Sequence, residues 1–227
     1  MERTLHRQLK EQFGPAAGGR SEVTFAGFRI DAIDAQGSLI EVQSGALGPL
    51  RRKLAKLLLE HCLKVVKPVV ISRRILRKSH REGITLSARM SPKRGELLDV
   101  FEDLMGVARL FPHPNLQIDV MEVGIDEVRV PRKRRPGYRV IDRSLREEGQ
   151  TLTLHLAQDL WKLLPCPLPD QFTTVDLAES TGRSIDFAQK IAYCLRTSGA
   201  AIGIGKTVNR IVYQRVRHVG LEEPSQA

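Results

Sequence analysis

The chain has 227 residues, enough for two modest domains, and its 41% hydrophobic and 27% charged content is ordinary for a globular protein. Thirty-six Lys and Arg against 26 Asp and Glu leave a formal charge of +10. Such an excess suits a polyanionic partner, because each cation that neutralises a phosphate releases a condensed counterion. Cys62, Cys166 and Cys194 are odd in number and far apart, which argues against a zinc or disulfide framework and for a reducing compartment, the cytoplasm. No apolar run approaches the ~18 residues of a membrane span, and residues 1–10 are charged where a signal peptide is apolar.

Leu5, Leu9 and Phe13 recur at helical spacing and predict a short helix over 4–13, stopped by Gly14-Pro15. The period then changes to two, predicting strands over 22–26, 28–34 and 39–44, the last two joined by a turn containing Gly37. Leu50, Leu54, Leu57, Leu58 and Cys62 share one helical face, with Arg51, Arg52, Lys53 and Lys56 largely off it. A β-branched run over 65–72 predicts a buried strand, followed by the basic stretch 73–78. Helix, three strands, helix, strand is an α/β (α+β) arrangement around one mixed sheet. Ser91-Pro92 reads as the start of a helix reaching about Leu110, with Lys93 and Arg94 at its N-terminus. There they suit either a phosphate or plain solvation. Residues 116–123 and 127–130 read as a hairpin, and 131–150, opened by a proline and the run Arg132-Lys133-Arg134-Arg135, as a basic linker.

The last third reads as a separate unit over 151–217, with a tail over 218–227. Residues 152–164 predict one helix, and 174–180 and 184–198 two more across Gly182. Strands over 201–204 and 210–216 follow. This is the winged-helix order. On the third helix the polar face carries Asp186, Gln189, Lys190, Tyr193, Arg196 and Thr197, types able to bond base edges or phosphates. Lys206, Asn209 and Arg210 fall on the expected wing. Winged helices also serve as protein-interaction modules.

The candidate chemistry lies in Arg29-Ile30-Asp31 and Glu41-Val42-Gln43. An odd-length turn centred near Gln36 sets Asp31 opposite Glu41, with Cβ atoms roughly 5 Å apart. Two carboxylates so close repel, and a divalent cation relieves that repulsion; Mg²⁺ (or Mn²⁺) suits one or two carboxylates, waters and a phosphate oxygen. An Asp and a Glu on a hairpin also suit a merely solvated face. No P-loop or dinucleotide fingerprint occurs, so no nucleotide cofactor is expected.

The order hydrophobic-Asp31, about ten residues, then hydrophobic-Glu41-x-Gln43, between two helices, resembles the PD-(D/E)xK, restriction-endonuclease-like nucleases over residues 1–72. The resemblance implies a restriction-endonuclease-like domain over 1–130, with Asp31 and Glu41 as metal-binding acids and an extra acid from Glu22 or Glu11, Glu22 being favoured because its strand adjoins that of Asp31, though it also suits an ordinary surface Glu. Gln43 stands where the family usually carries Lys, and would aim the attacking water. It implies hydrolysis of DNA phosphodiesters, with Arg51, Arg52 or Lys53 offsetting charge on the phosphate. The alternative is a non-catalytic DNA-binding regulator that keeps the scaffold; a protein–protein scaffold is a third reading, and a homodimer stays open.

Overall fold

The computed structural model describes residues 4–217; the expected tail, 218–227, lies outside the described residues. The fold is mixed α+β, built on one seven-stranded mixed sheet with a second, three-stranded sheet behind it in sequence. Helix α1 (Thr4–Phe13) leads into strands β1 (Arg20–Phe25), β2 (Phe28–Ile33) and β3 (Leu39–Val42), an antiparallel meander. Helix α2 (Arg51–Leu57) crosses over to β4 (Leu63–Lys78), which runs parallel to β3. Strands β5 (Thr85–Met90), β6 (Leu116–Pro131) and β7 (Tyr138–Leu154) complete the sheet in the order β1-β2-β3-β4-β6-β7, with β5 pairing the distal half of β4. Among the described residues no helix is long and apolar enough to cross a membrane.

The sheet is covered on both faces. On one, Leu5 and Leu9 of α1 pack on Ala32, Ile40, Val42, Val66, Val123 and Ile125. On the other, Leu54 and Leu57 of α2 and Phe101 and Leu104 of α3 (Val100–Leu104) meet Leu39, Val65, Ile118 and Val120. β-Branched residues at alternate positions of β4 and β6 feed the two cores in turn, as period-two alternation requires. Gly19 marks the closest approach of the meander: a Cβ there would lie 1.9 Å from the Ile33 carbonyl oxygen. Gly19→Ala is expected to destabilise the protein by about 1–3 kcal/mol or more, as an overpacked site that only backbone movement relieves; a chemical denaturation midpoint measures it.

Four expected elements differ. Residues 91–96 are not helical, so Lys93 and Arg94 do not sit at a helix N-terminus. Gly95 packs on the Val70 carbonyl, and the Glu96/Asp99 capping box starts the helical turn only at Leu97. The expected hairpin over 116–130 is a single strand, β6, parallel to β4 from Leu63↔Leu116 to Arg77↔Arg129. The expected linker 131–150 is instead the turn and most of β7, paired with β6 from Pro131↔Tyr138 onward. The expected helix over 152–164 is the end of β7, where Thr151 to Leu154 pair with Met121 to Ile118, followed by a 3-10 helix, Ala157–Leu163. Asp159 fixes that start by accepting the backbone N–H groups of His155 and Leu156, each at 2.8 Å.

Behind it stand β8 (Gln171–Phe172), α4 (Thr174–Thr181), α5 (Ile185–Thr197), β9 (Ala201–Thr207) and β10 (Arg210–Arg215). Thr173 caps α4 in a capping box with Asp176, Gly182 ends it in the left-handed region, and Ser184 caps α5. Strand order is β8-β10-β9. Phe172, Leu177, Phe187, Ile191 and Leu195 continue the core that lies under α3, so this unit is packed on the large sheet's helical face rather than tethered to it. Arg183 binds Glu96 and Asp99, and Lys190 binds Glu102 of α3 at 2.5 Å.

Candidate functional site

The turn between β2 and β3 sets the site. Asp34 accepts hydrogen bonds from the backbone N–H groups of Gln36 and Ser38, at 3.0 and 2.8 Å, and Gly37 takes a positive φ of 85°. The resulting register, Ile33↔Leu39 and Ala32↔Ile40, leads one residue on to Asp31 and Glu41. There the ladder opens and the two carboxylates enter the gap. The Val42 backbone N–H donates to Asp31 Oδ2 at 3.0 Å, and the Asp31 backbone N–H to Glu41 Oε1 at 3.4 Å. Each carboxylate thus accepts a backbone N–H of the opposite strand, Asp31 on the side of α1 and Glu41 on the side of α2.

Their companions come from the two flanking helices. His6 Nε2 of α1 stands 3.4 Å from Asp31 Oδ1, and Lys53 of α2 bonds both Glu41 and the Arg29 carbonyl oxygen. Burial pulls the Asp31 carboxyl upward, but hydrogen bonds from His6 and Val42, with the charges of His6 and Lys10, hold it below its ordinary value. Burial dominates at Glu41, which is 4% exposed: its carboxyl is pushed up despite the Lys53 ammonium, and the Asp31 charge adds to the rise. The two carboxyls are thus shifted in opposite directions, Asp31 downward by its hydrogen bonds and Glu41 upward chiefly by burial.

Asp31 opens onto a pocket of about 400 Å³ lined also by His6, Lys10, Arg29 and the 43–45 segment. Lys67, itself only 3% exposed, braces that segment by donating to the Gly45 carbonyl oxygen at 2.8 Å while pairing with Asp103 at 2.7 Å. Gln43 sits at the pocket wall, and its Nε2 donates to the Ala46 carbonyl oxygen at 2.7 Å.

Glu22 falls between the pairs Ser21↔Ala32 and Val23↔Ile30, level with Asp31, yet its carboxylate is tied to Lys10 at 2.7 Å and Arg29 at 2.9 Å. Lys10 and Arg29 hold it below its ordinary pKa. The expected third acid therefore does not join the pair, and among the described residues no group of three His, Cys, Asp or Glu side chains is placed to hold a metal ion. Glu11 is exposed on α1. Arg51 and Arg52 are exposed on α2; Lys53, expected to face a phosphate backbone, instead turns inward onto Glu41.

Residues 3–155 match the family described as "Domain of unknown function (DUF8091)". Over 216 residues the chain is 32% identical to an uncharacterized protein of Treponema pallidum (strain Nichols), a stretch covering 93% of this chain and 84% of that one. The chain belongs to the DUF8091 family. No solved structure matches it. The DUF8091 match runs from α1 through the end of β7, so it takes in the whole seven-stranded sheet and with it the Asp31–Glu41 gap.

Beyond the DUF8091 segment, the structure gathers part of the expected reader surface. Gln189 of α5 and Asn209 and Arg210 of the β9–β10 turn line one pocket of about 420 Å³ with Thr174 and Ile185. Arg196 and Lys206 are exposed. Lys190 is turned to Glu102, and Tyr193 is partly buried against the core, so neither stands free on that surface. Among the residues the sequence reading passed over are His6 and Lys10. Their i, i+4 spacing puts them on one stripe of α1, the one available hint that both face the same strand gap.

Proposed function

We propose that this chain is a divalent-metal-dependent DNA endonuclease of the PD-(D/E)xK, restriction-endonuclease-like kind, with a C-terminal winged helix that holds the substrate. The observation that carries this reading is the reciprocal bonding of Asp31 and Glu41 to each other's strands across the open end of β2 and β3, with an ammonium from the next helix on Glu41. Helix, three antiparallel strands, crossover helix and a strand parallel to the third is also the element order that the resemblance implies.

The donor chemistry suits Mg²⁺ or Mn²⁺: Asp31, its carboxyl held below the ordinary value, would offer a hard oxygen ligand at an open pocket, with the buried Glu41 on the adjacent strand. When bound, the ion polarises the scissile phosphate and lowers the pKa of a coordinated water. Lys53 supplies the positive charge that Gln43 lacks, reaching Glu41 from α2 instead of from β3. Gln43, its amide N–H bound to Ala46, keeps its carbonyl oxygen as an acceptor for a water proton. Lys10 and Arg29 at the pocket wall attract the phosphate backbone. In the C-terminal unit, two helices across a three-residue turn and a hairpin with exposed Lys206 and Arg210 support the winged-helix reading.

A second reading, a DNA-binding regulator without catalysis, is favoured by one observation: Lys53 already neutralises Glu41 within the chain. Plasmid DNA incubated with the protein and Mg²⁺ or Mn²⁺ separates the two. Nicking or linearisation that EDTA stops is the expected result. Salt-dependent binding with no cleavage under either ion overturns the endonuclease in favour of the regulator, and absence of DNA binding overturns both.

A further inference from the structure

The far end of the large sheet carries a second concentration of charge, separate from the acidic gap. Arg77 of β4, Arg89 of β5 and Arg129 of β6 line a pocket of about 270 Å³, floored by Ile75 and walled by Pro131 and Tyr138. The sheet register brings them together: Arg77 pairs with Arg129, and Ile75 with both Arg89 and Glu127. Among the described residues no acidic side chain lines the pocket. Arg129 is fixed in place, bound to Glu127 at 2.6 Å and stacked 3.9 Å from the centre of the Tyr138 ring. Arg77 and Arg89 are exposed, and among the described residues neither forms an ion pair.

Guanidinium groups lining one concavity repel one another, and while Glu127 offsets Arg129, no described residue supplies a counter-charge to Arg77 or Arg89. An anion with several oxygens relieves that repulsion, and the planar guanidinium fork is suited to phosphate oxygens. The cations do not stop at the pocket. Beyond Pro131 the exposed turn of Arg132, Lys133, Arg134 and Arg135 continues the line, so the fitting ligand carries phosphates in series rather than one alone.

We infer that this pocket holds a backbone phosphate of a nucleic-acid strand, with Arg77 and Arg89 donating to its oxygens and the 132–135 turn following the neighbouring phosphates. Gln43 bonds to Val66 of β4, and Arg77 lies eleven residues further along the same strand. At ~3.3 Å per residue the two sites are roughly 35 Å apart, about ten base pairs of duplex. The inference adds a binding site to the DNA reading and needs no catalysis.

The test is fluorescence anisotropy of a labelled duplex longer than that span. It uses the full chain carrying Asp31→Ala, in EDTA, with and without Arg77→Ala and Arg89→Ala. The double change is expected to weaken binding on the order of tenfold and to lower the slope of log affinity against log salt by about one, the loss of one phosphate contact, while the melting temperature holds. Unchanged affinity and slope overturn the site. So does saturable binding of inorganic phosphate that the same changes abolish while DNA binding stays intact, or loss of binding to phosphatidylserine vesicles in place of DNA. Because hydrolysis plays no part in this measurement, a protein that fails to cleave DNA leaves the result standing.

Discussion

Asp31→Ala protein is expected to fold and bind DNA but to lose metal-dependent cleavage by at least a factor on the order of 10²–10³, the scale of removing one electrostatic contact to a developing charge. Asp31 is the more ionised acid, and its carboxylate faces the pocket. Its loss removes a hard oxygen ligand, and also the acceptor for the Val42 N–H at the mouth of the β2–β3 gap. That second loss is local, because the ladder has already opened there and the flanking pairs Ala32↔Ile40 and Ile33↔Leu39 hold without it. Single-turnover cleavage of a labelled duplex, with anisotropy to confirm binding, measures the effect. Equal rates in the two proteins would remove Asp31 from the chemistry.

Glu127→Ala is expected to produce the largest loss of stability. Glu127 is 1% exposed on β6 and takes Arg129 at 2.6 Å, Arg143 at 2.9 Å and Arg73 at 3.5 Å. Without it three guanidinium groups lose the anion they share, and breaking a buried pair from one side costs about 3–5 kcal/mol. For a chain of this size that is a fall in Tm on the order of 10 °C. The pH dependence follows from the same contacts. Burial raises the Glu127 carboxyl, but Arg129, Arg73 and Arg143 together bring it below its ordinary value. A depressed folded pKa contributes stability that is present above the unfolded value, about 4.3, and is lost as pH falls through the folded one. Wild-type protein should therefore lose stability more steeply than Glu127→Gln below about pH 4.3. Thermal melts of both proteins across that range check the sign.

The β2–β3 register was legible because one turn determines it. Gln36 and Gly37 lie between Ile33 and Leu39, and a turn there with Asp34 as acceptor leaves a single register that puts Asp31 across from Glu41. What each acid touches was not legible. Lys53 lies next to Leu54 on a helix of seven residues, and helical spacing alone does not say whether such a flanking lysine reaches solvent or the sheet. The 131–150 segment misled for a different reason. Its arginines and prolines have the composition of a linker, and β7 shows little apolar alternation because much of it is exposed or half-buried beyond β6. Its structural role lies in polar partners on other elements, the ion pair of Arg143 with Glu127 and the hydrogen bond from Thr4 to Asp142, which no local pattern reveals. Capping residues did mark the last unit: Thr173, Asp176, Gly182 and Ser184 bound α4 and α5 close to the expected limits. The turn of α5 that presents Lys190 was misjudged, since the partner that captures it, Glu102, comes from α3.

Binding of Mn²⁺ to the full chain, followed by the loss of the free-ion electron paramagnetic resonance signal on titration, tests the shared carboxylate site directly. The account predicts saturable binding by the wild-type protein that is abolished in Asp31→Asn/Glu41→Gln protein of unchanged melting behaviour. Equal Mn²⁺ uptake by both proteins, or none by the wild type with or without DNA, would contradict it.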